Sequence, residues 1–236
     1  SDGVRHQVWK IEDPDDIENI SRLYAGIPHL YIADGHHRAA SAVKVGLARR
    51  AADPGFSGTE EYNFFLCVLF PSDELKIYGY DRVVTDKNGY TFASFLDKIR
   101  DDFDITRIGA DPYRPADKGE FGIYADGTWY RAQAHPALLS DDPVSGLDVS
   151  ILQDHILGPV LGIRDPKTDQ RIRFIGEIKG ADALEHAADS SGGIAFSMYP
   201  TSMEELLRIA DSGRLMPPKS TWFEPKLRSG LFIHRF

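Results

Sequence analysis

Hydrophobic and polar positions change period several times in the first part of the chain, and each change predicts an element. Val4 to Ile11 reads as a strand. Asp13-Pro14-Asp15-Asp16 then supplies a helix start, with an Asp cap, Pro in the first turn and carboxylates toward the positive end of the helix dipole. Ile17, Ile20 and Tyr24 give that helix an apolar stripe. Gly26 to His29 breaks it, Leu30 to Ala33 reads as a short strand, and the alanine-rich stretch from His36 to Arg50 reads as a second helix. The predicted unit is strand, helix, strand, tight turn, helix.

Ala51 to Glu61, rich in Gly, Asp, Pro and Ser, predicts a loop before a buried strand from Tyr62 to Phe70, with Cys67 as a small core side chain. Leu75 to Val84 predicts a further strand. Thr91 caps a helix whose Phe92, Phe95, Leu96 and Ile99 share a face, and Tyr124 to Trp129 reads as a hairpin turning on Asp126-Gly127. After a polar, turn-rich boundary at Pro136 to Gly146, the pattern predicts a helix over Asp148 to Leu157 and strands over Arg171 to Ile178 and Gly193 to Tyr199. A helix over Ser202 to Ser212 and a terminal strand near Leu231 complete the set. Thr201 and Glu204 have capping-box spacing, and Gly213 is a stop. The class is mixed α/β or α+β, with one region over residues 1–135 and a second over 147–236 packing on it.

Composition narrows the functional classes. The 236 residues are 42% hydrophobic and 11% aromatic, enough for a packed core, and no apolar run approaches the length of a membrane span. With 27 Lys and Arg against 36 Asp and Glu the net charge is −9, which repels duplex nucleic acid. One cysteine excludes an intrachain disulfide and makes the cytoplasm the expected compartment. The opening Ser1-Asp2 carries no charged-then-apolar leader and no Met, which predicts a piece of a longer protein without a signal peptide.

Two segments carry chemistry. In Asp34-Gly35-His36-His37-Arg38 an apolar strand meets a glycine turn and a helix, so backbone N–H groups face outward with the positive dipole end behind them. Arg38 adds a fork of donors suited to phosphate, and His36 and His37 add donors or a proton shuttle. Asp34 is placed to hold a metal ion or orient a histidine. The competing reading is an Asp34 cap, a Gly35 turn and surface histidines, but cations at a helix start oppose the dipole. The second segment, Met216 to Gly230, gathers Lys219, Ser220, Thr221, Lys226 and Arg228 around Glu224. It reads either as a loop gripping an anion or as a solvated loop anchored by Trp222 and Phe223. Asp148 and His155 lie on one helix face but about 10 Å apart along the axis, which points to structural roles.

These two segments, together with Tyr80-Asp81-Arg82-Val83-Val84 and Asn88-Gly89, resemble the bacterial family catalogued as domain of unknown function 1015. The likeness runs from about Gly3 to the end. Many members follow the arginine with an aromatic and an acid, where this chain has Ala39-Ala40. Members carry a long N-terminal segment containing a His-Glu pair followed by Arg, so the chain resembles the C-terminal portion. The missing segment would then be a partner and a source of the catalytic base. More distantly, the strand, Gly-His-His-Arg turn and alanine-rich helix resemble the phosphate-binding box of the ParB and sulfiredoxin superfamily, which includes a free-serine kinase using ADP.

The resemblance implies a small-molecule phosphotransferase or phosphohydrolase. Gly35, His37 and Arg38, with Lys219, Ser220, Thr221, Lys226 and Arg228, would bind a phosphorylated small molecule or nucleotide. Asp34, His36 and His37 would act in catalysis, with Mg²⁺ at Asp34 and ADP or ATP as cosubstrate. The alternatives are a nucleotide-binding regulatory module without chemistry and a ParB-like nuclease or DNA binder, the last opposed by the charge of −9.

Overall fold

The computed structural model describes residue 3, residues 5–226, residue 228 and residues 230–235. Val4, Leu227 and Ser229 therefore fall outside the described residues. The described helices are α1 (Pro14–Ala25), α2 (His36–Ala52), α3 (Phe92–Ile99), α4 (Asp148–Leu152), α5 (Ala181–Ser191) and α6 (Met203–Asp211). The strands are β1 (Lys76–Tyr78), β2 (Tyr80–Val84), β3 (Phe103–Gly109), β4 (Glu120–Ala125), β5 (Thr128–Ala134), β6 (Ile172–Gly176), β7 (Ile194–Met198) and β8 (Trp222–Glu224). The class is mixed α/β with antiparallel sheets.

Six strands form one antiparallel sheet in the order β3-β5-β4-β7-β2-β6, and β1 pairs with β8 in a small second sheet. Strands from both sides of residues 136–146 enter the larger sheet, so the regions on either side of that segment share one ladder system. The β4–β5 hairpin turns on Asp126 and Gly127, both at positive φ, the geometry whose twist matches paired strands. Alternation sends Val84, Phe121, Ile123 and Phe196 to one face, where they pack with Phe95, Ile99, Leu152 and Ile209. Val83, Tyr124 and Ala195 go to the other face, where Trp129 joins Leu184 and Ala188 of α5. Among the described residues, no helix is long and apolar enough to cross a membrane.

Several helix signals act as their chemistry requires. The Asp13 carboxylate accepts the N–H groups of Asp15 and Asp16 at 3.0 and 3.2 Å, and the Thr91 hydroxyl accepts that of Ser94 at 3.1 Å. The capping box at α6 is shifted by one residue, using Ser202 with Glu205 rather than Thr201 with Glu204. The Thr201 hydroxyl instead donates to the Ser220 carbonyl, which removes it as a cap. The predicted helix over Asp148 to Leu157 continues α4 as a wider π turn from Gln153.

Other expectations are corrected. Residues 5–11, 30–33 and 64–70 form no strand, and the terminal strand is β8 rather than a segment near Leu231. The apolar side chains from Phe64 to Phe70 are 37% to 55% exposed, and Cys67 is exposed too. Apolar composition favours cover, but a strand also needs a neighbour with free N–H and C=O groups, and among the described residues none pairs here. The apolar stripe of α1 is likewise uncovered at Ile17 and Tyr24. The Tyr31 hydroxyl ties this part to the layered core by donating to Asp211 at the end of α6.

Asp148 and His155 are separated by their partners, as their axial spacing requires. The buried Asp148 carboxylate accepts the Gly119 N–H at 3.0 Å, while His155 Nδ1 lies 3.0 Å from Asp102. Desolvation pushes the Asp148 carboxyl up to about 7, against the opposing Gly119 bond and Lys118 charge. Because the folded chain then holds this proton more tightly than the unfolded chain, Asp148 favours folding at low pH. That contribution is lost as pH rises from about 4 to about 7. Asp148→Asn should remove the slope, so that urea midpoints measured at pH 5 and 8 shift in the variant's favour at the higher pH. Parallel curves for the two proteins would contradict it.

Candidate functional site

Gly35 stands at the N-cap of α2 with φ 82° and ψ 24°, a left-handed conformation that glycine adopts without a Cβ penalty. Asp34 is therefore not the cap, and Gly35, which is, has no side chain to accept a hydrogen bond from the first turn. The first turn contains no acidic residue, and His36, His37 and Arg38 occupy it. The Arg38 guanidinium folds back over the turn: a Cβ placed on Gly35 would lie 3.1 Å from Nη2 and 3.3 Å from Nε. A cation fork thus lies over the end of the helix where the dipole already favours an anion. Asp34, His36, His37 and Arg38 are all exposed. Among the described residues, no group of three or more His, Cys, Asp or Glu could hold a metal ion.

The tail residues divide by environment. Ser220 is buried and its hydroxyl donates to the Pro217 carbonyl at 2.7 Å, while its own carbonyl accepts from Thr201. The Lys219 ammonium lies 5.6 Å from the Tyr80 ring centre, and that of Lys226 lies 4.5 Å from the Trp222 ring centre. Phe223 is buried, Thr221 half-buried and Arg228 exposed. The tail is anchored through β8 pairing with β1 and through a bond from Arg82 Nη2 to the Lys219 carbonyl at 3.1 Å.

That last bond belongs to a buried charged centre that the sequence reading did not assign to any site. On β2, Asp81 and Arg82 point to opposite faces. Asp81 accepts from Arg114 Nη1 at 2.6 Å and from the Met198 N–H at 3.0 Å, and Arg114 also donates to the Ser197 hydroxyl at 3.1 Å. Burial pushes the Asp81 carboxyl up, and Arg114 pulls it back. Arg82 is 3% exposed on the face of Phe174 and Phe196. The available signal was the sequence itself, two opposite charges side by side in an otherwise apolar strand.

Comparison with solved structures finds a free serine kinase variant in complex with AMP. It is 16% identical, with 91% of this chain and 82% of that chain covered and a TM-score of 0.41. The free serine kinase in complex with AMP is also 16% identical, covers 90% and 81% of the two chains and has a TM-score of 0.39. A further variant in complex with ADP is 17% identical, with the same coverage and a TM-score of 0.39. No curated protein matches the sequence. A family model matches residues 1–150, well over half of the chain, and the chain belongs to that family, described as "Protein of unknown function (DUF1015)".

Proposed function

We propose that the chain is a phosphate- and nucleotide-handling protein of the small-molecule phosphotransferase or phosphohydrolase type, with the anion seated at the Gly35 turn. The observation that carries this reading is the start of α2. It has no side-chain cap and no first-turn carboxylate, and the Arg38 guanidinium is folded over the glycine. The positive end of the helix dipole favours an anion there, and Arg38 adds N–H donors of the kind that grip phosphate. The resemblance of the Gly-His-His-Arg turn to the ParB and sulfiredoxin phosphate box supports the same assignment. In this reading Arg38 and the first-turn N–H groups hold the phosphate, and His36 or His37 moves a proton. Asp34 orients His37 or contributes one carboxylate to Mg²⁺, whose remaining ligands would be phosphate oxygens and water.

Titration of ADP into the full chain tests the site. Arg38→Ala should weaken binding by about 1.5–3 kcal/mol, the range for a charge-assisted hydrogen bond, or roughly ten- to 150-fold. Equal affinity in the two proteins would remove the anion from this turn.

A second reading, a nucleotide-binding module without chemistry, is favoured by one observation: Asp34, His36 and His37 all face solvent. Phosphoryl transfer gains from excluding water around preorganised charges. This chain should therefore bind phosphate ligands better than it turns them over. Phosphoserine hydrolysis and ADP- or ATP-dependent serine phosphorylation are the assays. Robust turnover by this chain would select the enzyme reading over the module.

A further inference from the structure

A cavity that shares no lining residue with the Gly35 turn lies on the face of β2 that carries Arg82. It has a volume of about 320 Å³, within the range of small-molecule sites. Leu157, Phe174, Pro217 and Pro218 give it apolar walls, and Arg82 is among its lining residues. A guanidinium carries five N–H donors. Arg82 uses one on the Tyr80 carbonyl and one on the Lys219 carbonyl, and stacks its carbon centre 5.6 Å from the Phe174 ring. Neither carbonyl carries a charge, and among the described residues Arg82 has no ion pair.

The other charged groups of the cavity do not fill that role. Arg214 is itself paired with Asp142 at 2.6 Å, and Asp154 is exposed and makes no ion pair with Arg82. Asp81 is adjacent in sequence but on the opposite face, where Arg114 holds it. Burying a guanidinium costs several kcal/mol in desolvation, and the Asp81 charge across the strand offsets only part of that at Arg82, so an anion entering the cavity would meet a desolvated cation. Gln153, also lining the cavity, donates to the Ile163 carbonyl at 2.7 Å but leaves its buried side-chain oxygen without a hydrogen-bond partner. It stands at the head of the π turn, a local widening that recurs at functional sites.

We infer that this cavity is a binding site for a small organic oxyanion, with the carboxylate or phosphate on the Arg82 guanidinium and an apolar body against Phe174, Leu157 and the Pro217-Pro218 wall. The site shares no lining residue with the Gly35 turn, and its ligand need not be a nucleotide. It also gives the tail a second task. The Pro217-Pro218-Lys219 segment closes one side of the cavity and supplies a carbonyl that holds the guanidinium in place.

The test uses the full chain with 3-phenylpropionate, phenyl phosphate and the uncharged 3-phenylpropionamide as probes. Either anion should bind at least tenfold more tightly than the amide, and the tighter of the two names the head group. In ¹H–¹⁵N spectra the perturbed signals should include the Gln153 side-chain amide and the backbone of Phe174. Arg82→Met keeps the apolar stem and should cost at least tenfold in anion affinity. If that variant does not fold, the amide comparison and the map of perturbed signals decide. Equal binding of anion and amide, no binding of either anion, perturbations elsewhere, or a folded Arg82→Met with unchanged affinity would each overturn the assignment.

Discussion

Asp81→Ala is expected to lower the stability of the chain by about 3–5 kcal/mol, the usual result of removing one partner from a buried ion pair. The carboxylate is fully buried and accepts from Arg114 and from the Met198 backbone, so the truncation strands a guanidinium and an N–H together. The Arg114 side chain is 30% exposed, and water reaching it places the loss toward the lower end of that range. Asp81→Asn keeps an acceptor for Met198 and should cost less. Urea unfolding followed by circular dichroism measures both. A loss below about 1 kcal/mol for the alanine variant would mean that the pair contributes little beyond what water supplies to Arg114.

Trp129→Ala should be comparably damaging, at about 3–5 kcal/mol. The indole is completely buried in the cluster between the sheet and α5, with its ring 5.2 Å from that of Tyr124. Its N–H donates to Glu185 on α5 at 2.7 Å, so the truncation opens a cavity and releases a tie between hairpin and helix. Trp129→Phe keeps most of the volume and loses the tie, and should cost a minor part of that amount. Urea midpoints with unchanged m-values give the comparison. If phenylalanine proved as damaging as alanine, the hydrogen bond rather than the packing would dominate at this position.

Legibility in the sequence followed locality. The Asp13-Pro14 start, the Thr91 cap and the Asp126-Gly127 turn are made within a few residues, and each was readable because the chemistry is contained in the motif. The capping box slipped by one because Thr201 and Ser202 both offer a hydroxyl, and only a contact with the distant Ser220 assigns Thr201 elsewhere. Tyr62 to Phe70 failed for the opposite reason: an apolar run reports a preference for cover, whereas a strand depends on a partner far away in sequence. At the Gly35 turn the sequence identified the uncapped helix start but assigned the capping position to Asp34 in the competing reading. The Arg82 cavity was invisible, since it joins residues from β2, the π turn, β6 and the tail.

The opposed charges of β2 have a consequence for how the sheet is aligned. A strand with one wet face finds its register through hydrophobic alternation, since a slip of one residue turns its apolar side chains outward. β2 is buried on both faces, with Val83 on one and Val84 on the other, so alternation of apolar groups alone would not reject a shifted pairing. Asp81 and Arg82 do reject it. A one-residue slip would bring the Arg82 guanidinium toward Arg114 and carry the Asp81 carboxylate into the apolar surroundings of Phe174 and Phe196. Two like charges would then face each other on one side while an unmatched carboxylate sat on the other. The adjacent pair therefore works as a key with two unequal edges: β2 enters the gap between β6 and β7 in one alignment, and the neighbours of both strands inherit it.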